Sequence, residues 1–449
     1  MTVDLALRQL NAILNTTATG AIADRPITGI TTDTRTLAPG NLFVALQGEN
    51  FDGHGFLGIA QERGAIAAIV QTPAPDLTIP QFPVPNTLTA YQTLGRWWRQ
   101  QFTIPIIGIT GSVGKTTTKE LIAAVLGHSG NVHKTQKNYN NEIGVPKTLL
   151  QLTPEHDYAV IEMAMRGPGE IAELTEIAIP TIGLITNVGT AHIGRLGSEQ
   201  AIANAKCELL ATMPRHSIAL LNADNARLMR TAPQFWQGET LTYGLTAGDL
   251  HGELLNPHTL RVQGQDFPLP LPGEHNASNY LAALAIAQLL GLDWQPLQAG
   301  LVVELPGGRS KRIDLPGDVT LLDETYNAGY ESMVAALQLL KATPGSRHIA
   351  VLGTMKELGD AADRLHRQVG QTAADLGIDQ LIVLVDDPDA QGIVVGAGSV
   401  PCQVCHTHSE IIDVLKTIIK GGDRILFKAS NSVGLSQVVA QAQTLSPNR

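Results

Sequence analysis

The chain contains 449 residues, more than one compact core usually accommodates, so two or three domains are expected. Its 41 acidic and 31 basic side chains give a formal net charge of -10, which repels a nucleic-acid backbone. The 3 cysteines are too few for a disulfide framework. The composition therefore argues against a nucleic-acid-binding protein and against a disulfide-stabilised secreted domain.

Two apolar segments bear on the location of the protein. The N-terminal sequence MTVDLALRQLNAILN has no basic stretch before an apolar run, so it does not resemble a secretory signal. The longest apolar run begins at Tyr280, is interrupted by Gln288 and is too short to span a bilayer, which favours a buried helix. We expect a cytoplasmic, monomeric protein without a membrane span.

The first predicted domain covers residues 1–87. It contains the strand-like runs NLFVAL and GAIAAIV and ends in a proline-rich stretch, TPAPDLTIPQFPVPNT, that is typical of a boundary. These features predict a small α/β module.

Two larger predicted domains follow, over residues 88–312 and 313–449. In the first, strand-like runs alternate with helical patterns, as in a parallel sheet covered on both faces: IPIIGI, YAVIEM, TIGLITN and SIALLN. The second repeats this alternation and predicts a doubly wound, Rossmann-like domain: VTLLDE, RHIAVLG, QLIVLV and RILFK. No G-x-G-x-x-G follows its first strand, so we expect neither nicotinamide nor flavin. The predicted fold class is α/β with three domains.

A glycine-rich turn opens the central domain in GITGSVGKTTTKE. Gly111 and Gly114 permit a tight turn whose N–H groups point inward, and Lys115 adds positive charge at the start of a helix. Thr116 is placed to offer a hydroxyl to magnesium. Ile109 breaks the strict G-x-x-x-x-G-K-[ST] pattern, leaving a shorter variant. We interpret the turn as a triphosphate-binding P-loop rather than an ordinary turn with an exposed lysine.

Polar side chains follow two further predicted strands. Glu162 comes after YAVI, at the carboxyl end of a buried strand, where it binds magnesium or is a solvated loop residue. His192 follows TIGLITNVGTA. Because magnesium prefers oxygen ligands, the sequence alone favours a structural, hydrogen-bonded role for this histidine.

Lys206 lies on a face that is expected to be buried. Ser198 caps the predicted helix SEQAIANAKCELLATM, and Ile202, Lys206 and Leu209 fall on one stripe with Met213. A buried amine needs a partner or loses its charge. The alternative is that its stem extends to the edge of the helix and the charge reaches water.

The sequence CQVCH near the C-terminus matches a haem-attachment pattern. Cys402, Cys405 and His406 carry the pattern, and His408 adds a candidate zinc ligand. The stretch alternates like a strand before a helical run, and haem attachment normally requires export. We therefore expect Cys402 and Cys405 to be structural.

Six motifs taken together are similar to the Mur ligases, in spacing and order, along the whole chain. They are GITGSVGKTTTKE, KTQKNYNNEIGVPKTLL, ITNVGTAHIGRLGSEQAIANAK, GEHNASNYLAALA, LLDETYNAGYESM and FKASNSVGLSQVV. The chain most resembles the branch of the family that adds D-alanyl-D-alanine to UDP-N-acetylmuramoyl-tripeptide. Its N-terminal module, TDTRTLAPGNLFVALQGENFDGHGFLGIAQERGA, is similar to the one with which that branch binds the uridine nucleotide.

The resemblance implies a mechanism and a set of site residues. ATP phosphorylates the terminal carboxylate of the UDP-linked peptide, and the incoming amine attacks the acyl phosphate. By motif, Lys115 grips the β- and γ-phosphates, Thr116 and Glu162 serve one Mg²⁺, and His192 with Lys206, as a carbamate, serves a second. The resemblance assigns to ATP binding Gly111, Ser112, Val113, Gly114, Lys115, Thr116, Thr117, Asn276, Asn279, Arg309, Asp323 and Tyr326. It assigns to the UDP-linked substrate Thr32, Asp33, Arg35, Asp52, Gly53, His54, Asn138, Asn140 and Asn141.

Some positions leave alternatives open. Asn276 is also placed to cap a helix, and Asp323 to end a strand. The third domain departs from the family pattern at Gly329, Tyr330, Thr354 and Asn431, which affects the pocket for the amine.

Three rival functions are weighed against the D-alanyl-D-alanine-adding branch. The diaminopimelate- or lysine-adding branch carries a DNPR-type stretch that this chain lacks. Folylpolyglutamate synthetase has no comparable uridine-binding module. A P-loop regulator without ligase chemistry is the rival from another class, although no N-K-x-D motif is present.

Overall fold

Three β-sheets, one after another along the chain, organise the molecule. The computed structural model describes residues 5–22, 25–48 and 51–445. The sheets have four, nine and six strands. This division agrees with the α/β class expected from the alternation of strand-like and helical patterns.

The first module is a parallel sheet of four strands in the order β1-β2-β3-β4. The strands are β1 (Gly29–Thr31), β2 (Asn41–Val44), β3 (Ala67–Val70) and β4 (Gln81–Pro83). The helices are α1 (Gln9–Ile13), α2 (Leu57–Glu62) and α3 (Thr87–Arg99). All residues of β2 and β3 are buried, because helices cover both faces of the sheet. Both strands were predicted from their apolar runs and are confirmed.

The helix α3 leads into the central domain. The side chain of Asn86 accepts a hydrogen bond from the Thr89 N–H and so caps its first turn. Gln92 on this helix donates to Glu173 over 2.7 Å, which ties it to the central domain. The predicted boundary at residue 87 therefore coincides with the start of a helix that contacts both domains, and it stays a prediction.

The central sheet runs in the order β13-β12-β11-β10-β9-β8-β5-β7-β6. Its strands are β5 (Ile106–Thr110), β6 (Val132–Lys134), β7 (Tyr158–Glu162), β8 (Ile182–Ile185), β9 (Ile218–Asn222), β10 (Thr240–Gly244), β11 (Leu250–Asn256), β12 (Thr259–Val262) and β13 (Gln265–Pro268). Its helices are α4 (Lys115–Leu126), α5 (Gly144–Leu149), α6 (Glu170–Ala178), α7 (Ile193–Leu196), α8 (Glu199–Thr212), α9 (Ala226–Thr231) and α10 (Glu274–Leu289).

The central sheet is parallel, as expected, and an antiparallel extension is added at one edge. Strands β11, β12 and β13 pair antiparallel. In β11 the first residues alternate between buried and exposed, as in a strand with one face in water. A strand with this pattern contains fewer apolar residues than the buried central strands, so it is harder to recognise in the sequence. The buried helix expected from Tyr280 is confirmed as part of α10.

The third sheet has the order β14-β15-β19-β16-β17-β18. Its strands are β14 (Lys311–Leu315), β15 (Val319–Asp323), β16 (Arg347–Leu352), β17 (Gln380–Leu384), β18 (Cys402–Cys405) and β19 (Asp423–Lys428). Its helices are α11 (Tyr330–Ala342), α12 (Ala362–Asp375), α13 (Gln391–Gly396), α14 (His408–Ile418) and α15 (Leu435–Ala442). Only β14 runs antiparallel to its neighbour. Since β14 begins at Lys311, this sheet starts slightly before the predicted boundary at residue 312, which stays a prediction.

The CQVCH segment forms the edge strand β18, as its alternation predicted. The Cys405 side chain is buried in the core. His406 Nδ1 and His408 Nε2 lie 3.0 and 2.8 Å from the carbonyls of Val385 and Val433. Within the described ranges, no helix combines the length and hydropathy needed to cross a bilayer.

Candidate active site

The glycine-rich turn joins β5 to α4 at the carboxyl edge of the central sheet. Gly114 has a φ of 82°, a left-handed conformation that favours glycine. A Cβ atom on Gly111 would overlap Thr186 Oγ1, so this position requires glycine because a neighbouring side chain approaches closely. The turn therefore has the backbone geometry of a phosphate-binding loop at a helix N-terminus.

Two residues at the end of β8 hold this turn in place. Thr186 Oγ1 and Asn187 Nδ2 donate to the Val113 carbonyl over 2.8 and 3.0 Å, and the Val113 N–H donates to Asn187 Oδ1 over 3.0 Å. The Ser112 hydroxyl accepts from the Gly189 N–H at 2.8 Å. The loop is thus held ready for an anion. Thr186 and Asn187 were missed as site residues, although they lie in the quoted ITNVGTAH motif.

Lys115 is folded back over the turn. Its Nζ donates to the Gly111 carbonyl over 2.7 Å. Burial lowers the pKa of Lys115, the charge of Glu162 opposes that change, and Arg309 lowers the pKa further. An anionic phosphate would relieve this clustering of positive charge, so the local electrostatics fit a triphosphate.

Glu162 ends β7 directly beside the P-loop helix. Its Oε1 accepts hydrogen bonds from Thr116 Oγ1 at 3.1 Å and from Asn140 Nδ2 at 2.8 Å. Its Oε2 is buried and accepts no hydrogen bond from any described residue, and Lys119 Nζ is 3.7 Å away. A buried carboxylate oxygen without a partner, next to a threonine hydroxyl, is a suitable donor set for Mg²⁺.

Lys206 occupies the buried stripe of α8 that the sequence predicted. Ser198 caps the helix by accepting from the Ala201 N–H, and Lys206 is only 2% exposed. In the part of the chain that the structure describes, no carboxylate oxygen forms an ion pair with its Nζ. Burial lowers the pKa of Lys206 well below its usual value, and the charge of Lys115 lowers it further. The amine is therefore held in a state that favours the neutral form.

His192 lies at the start of α7 in a left-handed conformation with a φ of 68°. Its Nδ1 is 2.6 Å from Glu357 Oε2 of the third domain. Burial lowers the pKa of His192, as does the charge of Lys115, while Glu357 opposes the change. The imidazole is hydrogen-bonded, as the sequence alone favours, and it lies close enough to Lys115 and Lys206 for their charges to lower its pKa; its role stays a prediction.

Asn276 and Asn279 lie on the first turns of α10, next to the P-loop. Asn276 Nδ2 donates to the Pro272 carbonyl at 2.7 Å, and no side chain caps this helix, so the capping alternative for Asn276 is wrong. A Cβ atom on Gly114 would lie 2.9 Å from Asn279 Oδ1. The glycine-rich turn and the side-chain amides of these two asparagines therefore lie around the same region, next to the P-loop.

Arg309, just before the third sheet, and residues of the third domain lie near this space. The Arg309 guanidinium stacks on the Tyr326 ring, with 3.7 Å between Cζ and the ring centroid. The Nε of Arg309 is buried and has no hydrogen-bond partner among residues 5–22, 25–48 and 51–445. Asp323 is the last residue of β15, as one of the two sequence interpretations expected. Its carboxylate accepts hydrogen bonds from the Thr325 N–H and hydroxyl at 3.1 and 2.6 Å. The unpaired Nε marks a polar group available to a ligand.

The residues assigned to the UDP-linked substrate fall into two groups. In the first module, the Asp33 carboxylate receives Arg35 Nε and Nη2 at 2.9 and 2.7 Å, and this guanidinium lowers the pKa of Asp33 to about 2. Asp52 lies 2.6 Å from His54 Nδ1, while the Gln71 N–H donates to His54 Nε2 at 2.8 Å. Thr32 follows β1, and Gly53 follows Asp52.

Asp52 and His54 line an open cleft of about 370 Å³ together with Gln47, Leu57, Gln71, Thr72, Pro73 and Ala74. A cleft of this size is within the range of small-molecule sites. The first module therefore has room for a ligand on the side that carries the Asp52–His54 pair.

The second group, Asn138, Asn140 and Asn141, lies in the central domain. Asn140 bonds to Glu162, as described above. Asn138 accepts from the Asn140 N–H at 2.8 Å, and the Asn141 side chain accepts from the Gly144 N–H at 2.9 Å at the start of α5. These asparagines shape the loop beside the P-loop, and the structure does not bring them to the cleft of the first module.

Comparisons with known proteins agree with this geometry. The chain matches three family models: the Mur ligase family catalytic domain over residues 26–92, the Mur ligase middle domain over 109–287, and the Mur ligase glutamate ligase domain over 308–431. The chain is 60% identical to the UDP-N-acetylmuramoyl-tripeptide--D-alanyl-D-alanine ligase of Synechocystis, over 94% of each chain.

Solved structures are similar along the whole chain. MurF from Acinetobacter baumannii has a TM-score of 0.90 at 30% identity, covering 98% of this chain and 99% of that one. The MurF ligase of Thermotoga maritima in complex with ADP has a TM-score of 0.83 at 28% identity, covering 93% and 97%. The sequence, the three-sheet fold and these likenesses agree, and the chain belongs to the Mur ligase family.

Proposed function

We propose that this chain is an ATP-dependent amide ligase that adds D-alanyl-D-alanine to UDP-N-acetylmuramoyl-tripeptide in peptidoglycan precursor synthesis. The likeness to the Synechocystis relative carries the proposal, because 60% identity extends over 94% of both chains and includes all three domains. The P-loop beside Glu162 supplies the physical basis for ATP use. We place the reaction in the cytoplasm, where ATP and nucleotide-linked precursors are available.

The proposed reaction activates a carboxylate and then joins it to an amine. The terminal carboxylate of the peptide attacks the γ-phosphorus of ATP, and ADP leaves. The amine of D-alanyl-D-alanine then attacks the acyl phosphate, and phosphate leaves with the formation of an amide bond. Lys115 and the N–H groups of the P-loop stabilise the negative charge that develops on the phosphates. Arg309 and Asn279 border the nucleotide.

The residues around the P-loop fit one magnesium ion as they stand, and a second only with a modified Lys206. Thr116 and Glu162 are proposed to hold one, and His192 and a modified Lys206 a second. Bound magnesium neutralises phosphate charge. Asn140 and Thr116 orient one oxygen of Glu162, which leaves the other available.

A carbamate on Lys206 explains the burial of this amine. A neutral amine adds carbon dioxide and loses a proton, which gives an anion with two oxygen atoms. Oxygen ligands suit magnesium, whereas a buried ammonium group beside Lys115 is costly. No carboxylate in the described structure forms an ion pair with the ammonium, and the charge of Glu331 opposes the effect of burial only in part, which supports the modification.

The two outer domains are proposed to bind the other two substrates. The cleft at Asp52 and His54 accommodates part of the UDP-linked substrate. We assign the amine to the third domain, where Thr354 Oγ1 donates to Asp386 at 3.1 Å. Gly329 is the N-cap residue of α11, and its N–H donates to Ser332 Oγ. Tyr330 is the first residue of that helix. Since every proposed group comes from one chain, a monomer suffices.

Phosphate release distinguishes a ligase from a P-loop regulator. We expect one phosphate per amide bond formed, and release only when ATP, UDP-N-acetylmuramoyl-tripeptide and D-alanyl-D-alanine are all present, because the acyl phosphate is consumed by the amine. The measurement is a continuous phosphate assay with each substrate omitted in turn. A steady rate of ATP hydrolysis that does not depend on either the acceptor or the amine would favour the regulator.

A further inference from the structure

A buried lysine lies next to the proposed magnesium ligands Thr116 and Glu162. Lys119 is on α4, three residues after Thr116 and on the same face of the helix. Its side chain is 0% exposed, and its Nζ donates to the Thr135 carbonyl over 2.7 Å. The same nitrogen is 3.1 Å from Glu120 Oε1 and 3.7 Å from Glu162 Oε2. The Lys119 ammonium group therefore lies between two carboxylates.

Thr135 connects this lysine to the main chain of Glu162. The residue directly follows β6 and is fully buried. Its hydroxyl accepts a hydrogen bond from the Glu162 N–H at 3.0 Å, and its own N–H donates to the Val160 carbonyl at 3.0 Å. Lys119 thus holds the carbonyl of a residue whose side chain holds the backbone of Glu162. These contacts join α4, which carries Thr116, to the end of β7, which carries Glu162.

The two proposed ligands come from different elements, so their separation depends on how α4 and β7 are connected. Thr116 Oγ1 donates to Glu162 Oε1 over 3.1 Å, and Asn140 Nδ2 donates to the same oxygen. The other oxygen, Oε2, accepts no hydrogen bond from any described residue. A shift of α4 relative to β7 would move the threonine hydroxyl away from this carboxylate and change the pair of oxygen atoms offered to a metal ion.

The ion pairs around Lys119 extend towards the surface. Glu120 Oε2 also pairs with Lys134 Nζ, and the Lys134 side chain is 32% exposed. Two lysines and two glutamates balance in charge within this cluster. A buried ion pair is weak evidence for stability, because apolar residues of similar volume often stabilise a core equally well. The position of the cluster beside Glu162 therefore points to orientation of that carboxylate.

We propose that Lys119 is a positioning residue for the magnesium position of Thr116 and Glu162. Through Thr135 it holds Glu162 at the distance from Thr116 that allows both side chains to meet one ion. The inference rests on the proposed function, from which magnesium at this position is taken. Lys119 is not itself a ligand, since an ammonium group has only donors and no lone pair to offer.

Positioning and charge have opposite effects on magnesium binding when this lysine is removed. Loss of a positive charge near a cation site strengthens binding of the cation through Coulomb's law. Loss of positioning weakens it. Lys119→Met removes the charge, while the unbranched methionine side chain fills most of the same volume. Weaker magnesium binding by this variant would therefore be due to lost positioning and not to the change in charge.

The test measures binding of a fluorescent ADP analogue by the full-length protein. Magnesium is titrated into EDTA-treated protein, and the half-saturating concentration is the one at which the increase in ADP affinity is half complete. Lys134→Met is the matched control, because it removes an equal charge from the other oxygen of Glu120. Affinity for the analogue in EDTA and thermal unfolding show whether a variant keeps its P-loop and its fold.

We expect magnesium to strengthen ADP binding by the wild-type protein. In Lys119→Met the half-saturating magnesium concentration should rise on the order of 10- to 100-fold, the usual effect of losing an outer partner of a metal ligand. Affinity in EDTA should change little, because the N–H groups of the P-loop remain. Lys134→Met should keep the wild-type value. An unchanged or lower half-saturating concentration in Lys119→Met would overturn the inference, as would wild-type ADP binding that does not respond to magnesium.

Thr135→Val tests the same connection without altering a charge, and it decides the question if Lys119→Met does not fold. Valine keeps the shape of threonine but lacks the hydroxyl that accepts the Glu162 N–H. We expect the half-saturating magnesium concentration to rise here too, and a wild-type value in folded Thr135→Val would contradict the connection. These titrations need neither acceptor nor amine. If the wild-type protein forms no amide product, the proposed function fails whatever they show.

Discussion

Replacing Lys115 by alanine is expected to reduce kcat on the order of a hundredfold or more while leaving the fold intact. The ammonium group acts on charge that develops as the γ-phosphoryl group is transferred, and loss of one such contact typically has an effect of this size. Within the part of the chain that the structure describes, the amine bonds only to the Gly111 carbonyl, so its removal breaks no buried ion pair there. Steady-state turnover and thermal unfolding give the two quantities.

A matched control for this variant is Lys341→Ala. Lys341 is an exposed lysine of the third domain whose Nζ also donates to a backbone carbonyl, that of Gly377, at 2.9 Å. We expect its turnover to be unchanged. Near-normal turnover in Lys115→Ala would remove the P-loop from the mechanism.

Replacing Lys206 by alanine is expected to abolish most activity, with a loss on the order of a hundredfold or more, because the proposed carbamate would supply ligand oxygens to magnesium. Removal of the side chain leaves a buried cavity. A short carboxylate such as formate or acetate should enter the cavity and restore part of the activity, whereas chloride at the same concentration should not. Turnover is measured at increasing carboxylate concentration.

Lys206→Met provides the control, because methionine fills most of the same volume and leaves no space for an added carboxylate. It should be inactive and insensitive to formate. Depletion of carbon dioxide should slow the wild-type enzyme reversibly. Normal turnover of Lys206→Ala, or a high-resolution map of the magnesium-nucleotide complex with a bare amine at this position, would contradict the carbamate.

The sequence predicts those parts of the fold and site that depend on local pattern. Buried strands such as β5 and β8 are continuous apolar runs, and the position of Lys206 follows from helical spacing around the Ser198 cap. Strands β11 to β13 were missed because one of their faces meets water, so that their pattern is weaker.

Contacts between distant segments could not be predicted in this way. Glu162 and Asn140 meet across the ends of two chain segments, and Glu357 meets His192 across a domain boundary. Because the partners lie far apart in the sequence, no short-range sequence pattern predicts either contact. The assignment of Asn140 to the UDP-linked substrate illustrates the limit: the motif marks an important residue, but the structure places its side chain against the carboxylate beside the P-loop. That assignment stays a prediction.

The mass of the product formed from competing amines tests the central proposal most directly. Purified protein is incubated with ATP, magnesium, UDP-N-acetylmuramoyl-tripeptide and equal concentrations of D-alanyl-D-alanine, diaminopimelate and lysine, and the products are weighed by mass spectrometry. We predict that the main product is UDP-N-acetylmuramoyl-tripeptide extended by D-alanyl-D-alanine. A main product carrying a single diaminopimelate or lysine residue, or none at all, would contradict the account.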